Sequence, residues 1–404
     1  MARIIKGFYF FISILILCTS FQLQCLADGD ADEEMREYYE EQMQKPDYTT
    51  VKAKVLDISF DDTREDKPGV PRVSDIRYQH LNLVITTGSH KGETFTVKNT
   101  IEMINPYKLI VNKDETILLR LYEDAEGNVE NLVVYERSKE GYIYALVIMF
   151  MLLLVIIGGL KGFKSAVTLV LTAIMVVFVL FPLILKGWNP IATSAFVCTV
   201  IAGATLLIIS GRSMKTLNAF LGTVSGVLVA GALALIVGNL CKLTGLGNED
   251  AQLMAYVPQL IDLDYKGLLF AGIIIGALGA VMDVTMSIAS ALSEIVQIQP
   301  DISTKKLIQS GMNIGRDTMG TMSNTLILAY AGGSIHTMLL LMAFKVPMFE
   351  IINMDVMASE ILRAMAGSIG LICAIPLTAL LGGVLNNVKP KKQVSKKVRG
   401  SVAK

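Results

Sequence analysis

Two periodicities divide the chain. From Thr49 onward, apolar and polar residues alternate in short runs: TVKAKVLDISF, YQHLNLVITTG, ETFTVKNTI, KLIVNKDETILLRLYED and VENLVVYERS. Ser-His-Lys-Gly separates the second run from the third, and Glu-Gly-Asn precedes the last. Alternation bounded by turn residues predicts β-strands. Five or so strands over this length predict a small all-β, OB-like barrel. Beyond residue 141 the alternation stops and long apolar stretches begin, at 142–160, 165–185, 190–210, 217–240, 268–292, 319–344 and 361–385. A helix of about 20 apolar residues crosses a bilayer. Runs such as YIYALVIMFMLLLVIIGGL are apolar all round and leave no stripe for water. The expected fold is therefore an α-helical polytopic membrane bundle of about seven spans, behind a small extracytoplasmic β domain.

The N-terminus adds a further apolar segment. MARIIKG is basic, the next 20 residues are mostly apolar, and Cys25-Leu26-Ala27 has the small-x-small form of a cleavage site. Residues 1–27 read as a signal peptide or a signal-anchor helix. The expected organisation is then 28–141 outside the membrane, β-rich from about 49; 142–388 as the seven-helix domain; and 389–404 as a basic cytoplasmic tail.

Composition agrees with a bilayer. Of the 404 residues 52% are hydrophobic and only 18% charged, below the quarter or so usual in soluble domains. The formal net charge is zero, so no bulk field points to nucleic acid, and none is expected as a partner. The location of the basic residues sets the orientation. With the β domain outside, inner loops carry Lys161 and Lys164, Arg212 and Lys215, then Lys305, Lys306 and Arg316, and the tail adds several more. Outer loops hold few, and the loop at 241–267 also carries Glu249, Asp250, Asp262 and Asp264. The positive-inside rule thus places the C-terminal tail in the cytoplasm and the protein in the cell membrane.

The fifth apolar stretch contains a carboxylate. Gly272, Gly276, Gly279, Asp283, Ser287, Ser290 and Glu294 recur at steps of three and four, one face of a helix. Its first half is small, suited to close helix packing; its second half is polar. The next segment, NIGRDTMGTMSNT, places Asn313, Asp317, Gly320 and Asn324 on one face, with Arg316 beside them. The simplest arrangement packs the stripes together, with Gly320 at a close approach and Arg316 or Asn324 near Asp283 or Glu294. Three readings follow: glue between helices, a polar path for water, an ion or a small solute, or a carboxylate dyad. No nucleophile or metal motif accompanies the acids. The sequence contains no Walker motif, HExxH or GxSxG, and its five cysteines form no CxxC pair. No enzyme activity, cofactor or metal site is expected.

These residues carry a resemblance. GALGAVMDVTMSIASALSE followed by GRDTMGTMSNTLILAYAGGS resembles the core of the YibE/F-like family of bacterial membrane proteins. The resemblance implies a polytopic membrane protein with an extracytoplasmic N-terminal part, and supplies no catalytic residues. The expected function is a transporter or permease for an ion or small solute through a polar intramembrane path. The alternative is a non-enzymatic envelope assembly protein whose outer β domain binds a protein partner. In both readings the lipid bilayer is a partner.

Overall fold

The computed structural model describes residues 48–63, 75–124, 126–255, 257, 260 and 263–387. The expected signal segment, the acidic stretch after it and the basic tail lie outside these residues. Contacts divide the chain after Leu146.

The N-terminal unit is a five-stranded antiparallel sheet, in the order β3-β2-β1-β4-β5. Its strands are β1 (Tyr48–Asp61), β2 (Ile76–Ile85), β3 (Thr94–Glu102), β4 (Thr116–Glu123) and β5 (Val129–Arg137). Alternation in sequence becomes alternation in burial. Leu81, Leu83 and Ile85 of β2 face Ile117, Leu119 and Leu121 of β4 across a common core that includes Val51, Ala53 and Val55. Strand β1 serves both sides of the sheet. Its first half pairs with β4 and its second with β2, and two register shifts, at Val55/Asp57 and Ile58/Phe60, bend it between them. The edge strands β3 and β5 also come into contact, so the sheet is a nearly closed barrel.

One end of the barrel is closed by buried amides. Gln79 donates from Nε2 to the Val111 carbonyl at 3.0 Å and accepts the Val111 N–H at 2.9 Å. Asn99 donates to the Leu109 carbonyl at 2.8 Å. The β3–β4 connection is thereby held over the barrel mouth, and the buried polar groups are satisfied.

The second unit is helical. Helix α1 (Glu140–Leu185) is followed by α2 (Pro190–Ser210), α3 (Met214–Leu240), α4 (Glu249–Ala255), α5 (Tyr265–Ile298), α6 (Thr304–Gly333), α7 (Ile335–Ala343), α8 (Met348–Asn353) and α9 (Asp355–Asn387). Side chains cap the helices that sequence would start there. Asn189 accepts from the Ile191 and Ala192 N–H groups at the head of α2, and Asp264 from Gly267 N–H at 2.7 Å at the head of α5.

Among the described residues, five helices are long and apolar enough to cross a membrane: α1, α2, α3, α5 and the Asp355–Leu385 part of α9. A sixth span results if α6 and α7, bent by 59° at Ser334, are taken together. The seven apolar stretches of the sequence fall into fewer helical segments than stretches. The first two apolar stretches lie in one helical segment, α1, which is broken at Gly159, where φ is 54° and ψ −134°. A Cβ on Gly162 would run into the Leu154 carbonyl. Residues eight apart in a straight helix are about 12 Å apart, so the chain folds back sharply here. The sixth stretch is the bent pair.

Helix α5 packs against α2, α3, α6 and α9. Its buried face contains Ala277, Val281, Val284, Ile288 and Leu292. Helices α3 and α9 approach backbone to backbone. A Cβ on Gly226 would fall 2.7 Å from the Ala374 Cβ, and one on Gly370 would fall 2.8 Å from the Gly226 carbonyl oxygen. Gly222, Gly226 and Ala230 of α3 are spaced by four, as are Gly370, Ala374 and Thr378 of α9, so two small-residue rows meet.

Candidate functional site

On α5 the stripe found in the sequence is a real face of one unbroken helix, turned away from the core. Gly272, Gly276, Gly279, Asp283, Ser287 and Glu294 are exposed, and Ser290 is half-buried. Among the described residues, the Asp283 carboxylate has no hydrogen-bond or ion-pair partner. Ser287 donates its hydroxyl proton to the Asp283 main-chain carbonyl at 2.8 Å, within its own helix.

Helix α6 is seated by its other side. Leu307, Gly311 and Gly315 are its buried residues. A Cβ on Gly311 would lie 3.0 Å from Ala379 of α9 and 3.2 Å from Leu292 of α5, and one on Gly315 would overlap Ile375 and touch Ile288 at 3.2 Å. These contacts set an antiparallel register between α5 and α6. Leu292 sits at the height of Gly311 and Ile288 at that of Gly315. Continuing that register puts Ser287 level with Arg316, Asp283 level with Gly320 and Gly279 level with Asn324.

Equal height does not bring the stripes into contact. Asn313, Arg316, Asp317, Gly320 and Asn324 are all exposed, on the side of α6 away from Gly311 and Gly315. No hydrogen bond or ion pair joins Arg316 or Asn324 to Asp283 or Glu294 among the described residues. The physical reason is steric. Gly311 and Gly315 let α6 sink between α5 and α9, and the larger polar residues take the opposite side. The close-packing role expected for four glycines needs a matching correction. A Cβ on Gly272, Gly279 or Gly320 would meet nothing within 4 Å. Gly276 alone is backed, by the hydroxyl of Tyr330.

No group of three or more His, Cys, Asp or Glu side chains among the described residues is arranged to hold a metal ion.

Comparison with known families places both units. Residues 146–387 match the family model described as YibE/F-like protein, and residues 47–134 match that of the YibE/F family N-terminal domain. The chain belongs to the YibE/F-like family. The first match takes in both polar stripes, and the second takes in the barrel from β1 into β5. No curated protein and no solved structure matches this YibE/F-like chain.

Sequence reasoning on this YibE/F-like protein missed Tyr330 and its surroundings. Tyr330 lies on α6 beside the α5 stripe, close enough to Glu360 and Arg363 of α9 to interact electrostatically. Arg363 and Glu360 form an ion pair of 2.8 Å one turn apart. Ser323 Oγ and Arg363 Nε are buried without a hydrogen-bond partner among the described residues. The signal in the sequence is the tyrosine of AYAGGSIH, a hydroxyl-bearing residue within an apolar stretch. Tyr330, six residues beyond Asn324, lies about 9 Å farther along α6 and on the side that meets α5 at Gly276.

Proposed function

We propose that this protein is a multi-span transporter or permease, without enzymatic activity, that moves an ion or small solute along the polar faces of α5 and α6. The observation that carries the reading is the Asp283 carboxylate, unpartnered on an apolar span. A carboxylate at bilayer depth costs about 2.5–3.5 kcal/mol on insertion scales. A structural glue would recover that cost in hydrogen bonds between helices, and the Asp283 carboxylate makes none among the described residues. Oxygen-bearing groups continue along α5 in both directions from it, toward the Tyr330 hydroxyl at Gly276 on one side and toward Ser287 and Ser290 on the other.

In this reading α1 crosses twice, with the reversal at Gly159 as the tip of a helical hairpin, and α6 with α7 forms one bent crossing. The count returns to seven, and the positive-inside rule puts the OB-like barrel outside the cell membrane and the tail in the cytoplasm. The strand order with β3 against β5 supports the OB-like description.

Flux through proteoliposomes tests the proposal. Asp283→Asn is expected to abolish movement of the transported species while the protein remains monodisperse in detergent. Unchanged flux in that variant removes Asp283 from the mechanism.

A second reading, an envelope assembly protein, draws on the barrel's outer wall. There the Arg120 guanidinium lies 4.6 Å from the Tyr48 ring and 4.0 Å from the exposed Tyr135 ring. Arginine between tyrosines is common at protein-binding surfaces. Under this reading Arg120→Ala destroys function in cells, and Asp283→Asn leaves it intact.

A further inference from the structure

We propose that two copies of this chain associate along α6, and that the polar path is complete only in the dimer. This rests on the reading of α5 and α6 as helices within the bilayer. Three observations lead to it.

The polar residues of α6 sit on a ridge. At about 100° per residue, Asn313, Asp317, Gly320 and Asn324 lie roughly opposite Leu307, Gly311 and Gly315, the residues that seat the helix. One bundle cannot fold around a ridge on its own outside to enclose water. The contacts of Gly311 with Leu292 and of Gly315 with Ile288 set this row level with residues 279–290 of α5, inside its apolar stretch and not in the loop before α6, and hydrocarbon is an unfavourable neighbour for amide, guanidinium and carboxylate groups. Another protein surface must cover it.

The ridge is self-complementary in charge. Arg316 and Asp317 are adjacent, opposite in sign and exposed, and neither has an ion-pair partner among the described residues. Two copies inserted in the same orientation meet about a two-fold axis along the membrane normal, so their α6 helices run parallel and like positions face one another. Arg316 of each copy then lies beside Asp317 of the other. A partner of unrelated sequence would need a matching pair at the same depth; a second copy has it by symmetry.

The ridge also has room at its centre. Gly320, one turn from that charged pair, meets nothing within 4 Å, so two backbones can approach there as in other small-residue crossings. The open face of α5 borders α6 where Gly276 meets Tyr330. A second copy on α6 therefore forms a wall beside Asp283 that the single chain lacks.

Disulfide trapping in native membranes tests the proposal. The five native cysteines are first replaced by serine. Gly320→Cys and, independently, Asn324→Cys are then oxidised, with Leu228→Cys on the exposed side of α3 as control. The expected result is a band at twice the chain mass for Gly320→Cys or Asn324→Cys and none for Leu228→Cys. Arg316→Asp should abolish the band, and adding Asp317→Arg should restore it. Failure of both α6 positions to crosslink, or crosslinking that ignores the charge reversal, overturns the proposal. The transport reading fails separately. Asp283-dependent flux from a chain that stays monomeric sinks the dimer and keeps transport. A trapped dimer whose flux ignores Asp283 keeps the interface and sinks transport.

Discussion

Gly226 of α3 faces Gly370 of α9 so closely that a methyl group on Gly370 would sit 2.8 Å from the Gly226 carbonyl oxygen. Here the backbones of two transmembrane-length helices approach with no side chain between them. A larger side chain must push them apart. Gly226→Leu and Gly370→Leu are each expected to destabilise the protein by about 1–3 kcal/mol, the range for overpacking a tight interface. Gly272→Ala, in open space, should be neutral or slightly stabilising, since alanine favours helix over glycine. Thermal unfolding in detergent compares the three variants.

The threonine pair beside this contact gives a second prediction. Thr223 and Thr285 share a buried 2.7 Å hydrogen bond between α3 and α5. Removing one hydroxyl by Thr285→Val should cost about 1 kcal/mol, typical of polar bonds between membrane helices. A double-mutant cycle with Thr223→Val should show the two losses to be less than additive.

In the barrel, Gln79 holds Val111 through both its N–H and its carbonyl. Gln79→Leu would leave two backbone groups without partners, at about 1–3 kcal/mol for a buried group left unsatisfied. Hydrogen exchange should quicken selectively across residues 103–115, with the strands themselves protected as before.

His90 predicts a pH dependence. Its Nδ1 lies 3.2 Å from both Glu93 carboxylate oxygens and its Nε2 3.1 Å from Glu123. Both ring nitrogens face acceptors, and only imidazolium can donate from both. The hydrogen bond to Glu93, joined by the charges of Glu93 and Glu123, raises the pKa against some opposing burial. A raised folded-state pKa contributes stability that is complete below the unfolded value, about 6.5, and is lost as pH rises through the folded one. The β2–β3 turn should loosen from the end of β4 over that interval. Melting curves of wild type and His90→Gln should converge at alkaline pH and separate at acidic pH, wild type being the more stable.

Thiol accessibility provides a last prediction. Ser287→Cys, on the exposed stripe, should react with a water-soluble maleimide if the stripe is wetted, whereas Ala289→Cys, on the buried side of the same helix, should not. Equal protection of both positions in membranes would count against a hydrated path.

Much of this fold can be read from residue order alone. The run from Tyr78 is a strand because Leu81, Leu83 and Ile85 alternate with polar neighbours, and the barrel core is those residues. On α5 and α6, steps of three and four give each polar stripe correctly as one face. Periodicity is a property of one helix, however, and says nothing about which neighbour that face meets. Gly311 and Gly315 decide it by letting α6 sink in on its other side, and their spacing is no different from that of Gly272 and Gly276. Segment boundaries escape hydropathy for a similar reason. Hydropathy windows register apolar length, while the positive φ at Gly159 and the bend at Ser334 reorganise that length into a broken segment and a bent pair.

The amides that stopper the barrel also constrain what it can recognise. Leu83, Leu119 and their neighbours fill the inside of the described sheet, and Gln79 and Asn99 bind the β3–β4 connection to it. A side chain that meets a partner of this module would therefore come from its outer strand faces and its turns, the positions that alternate with the buried ones.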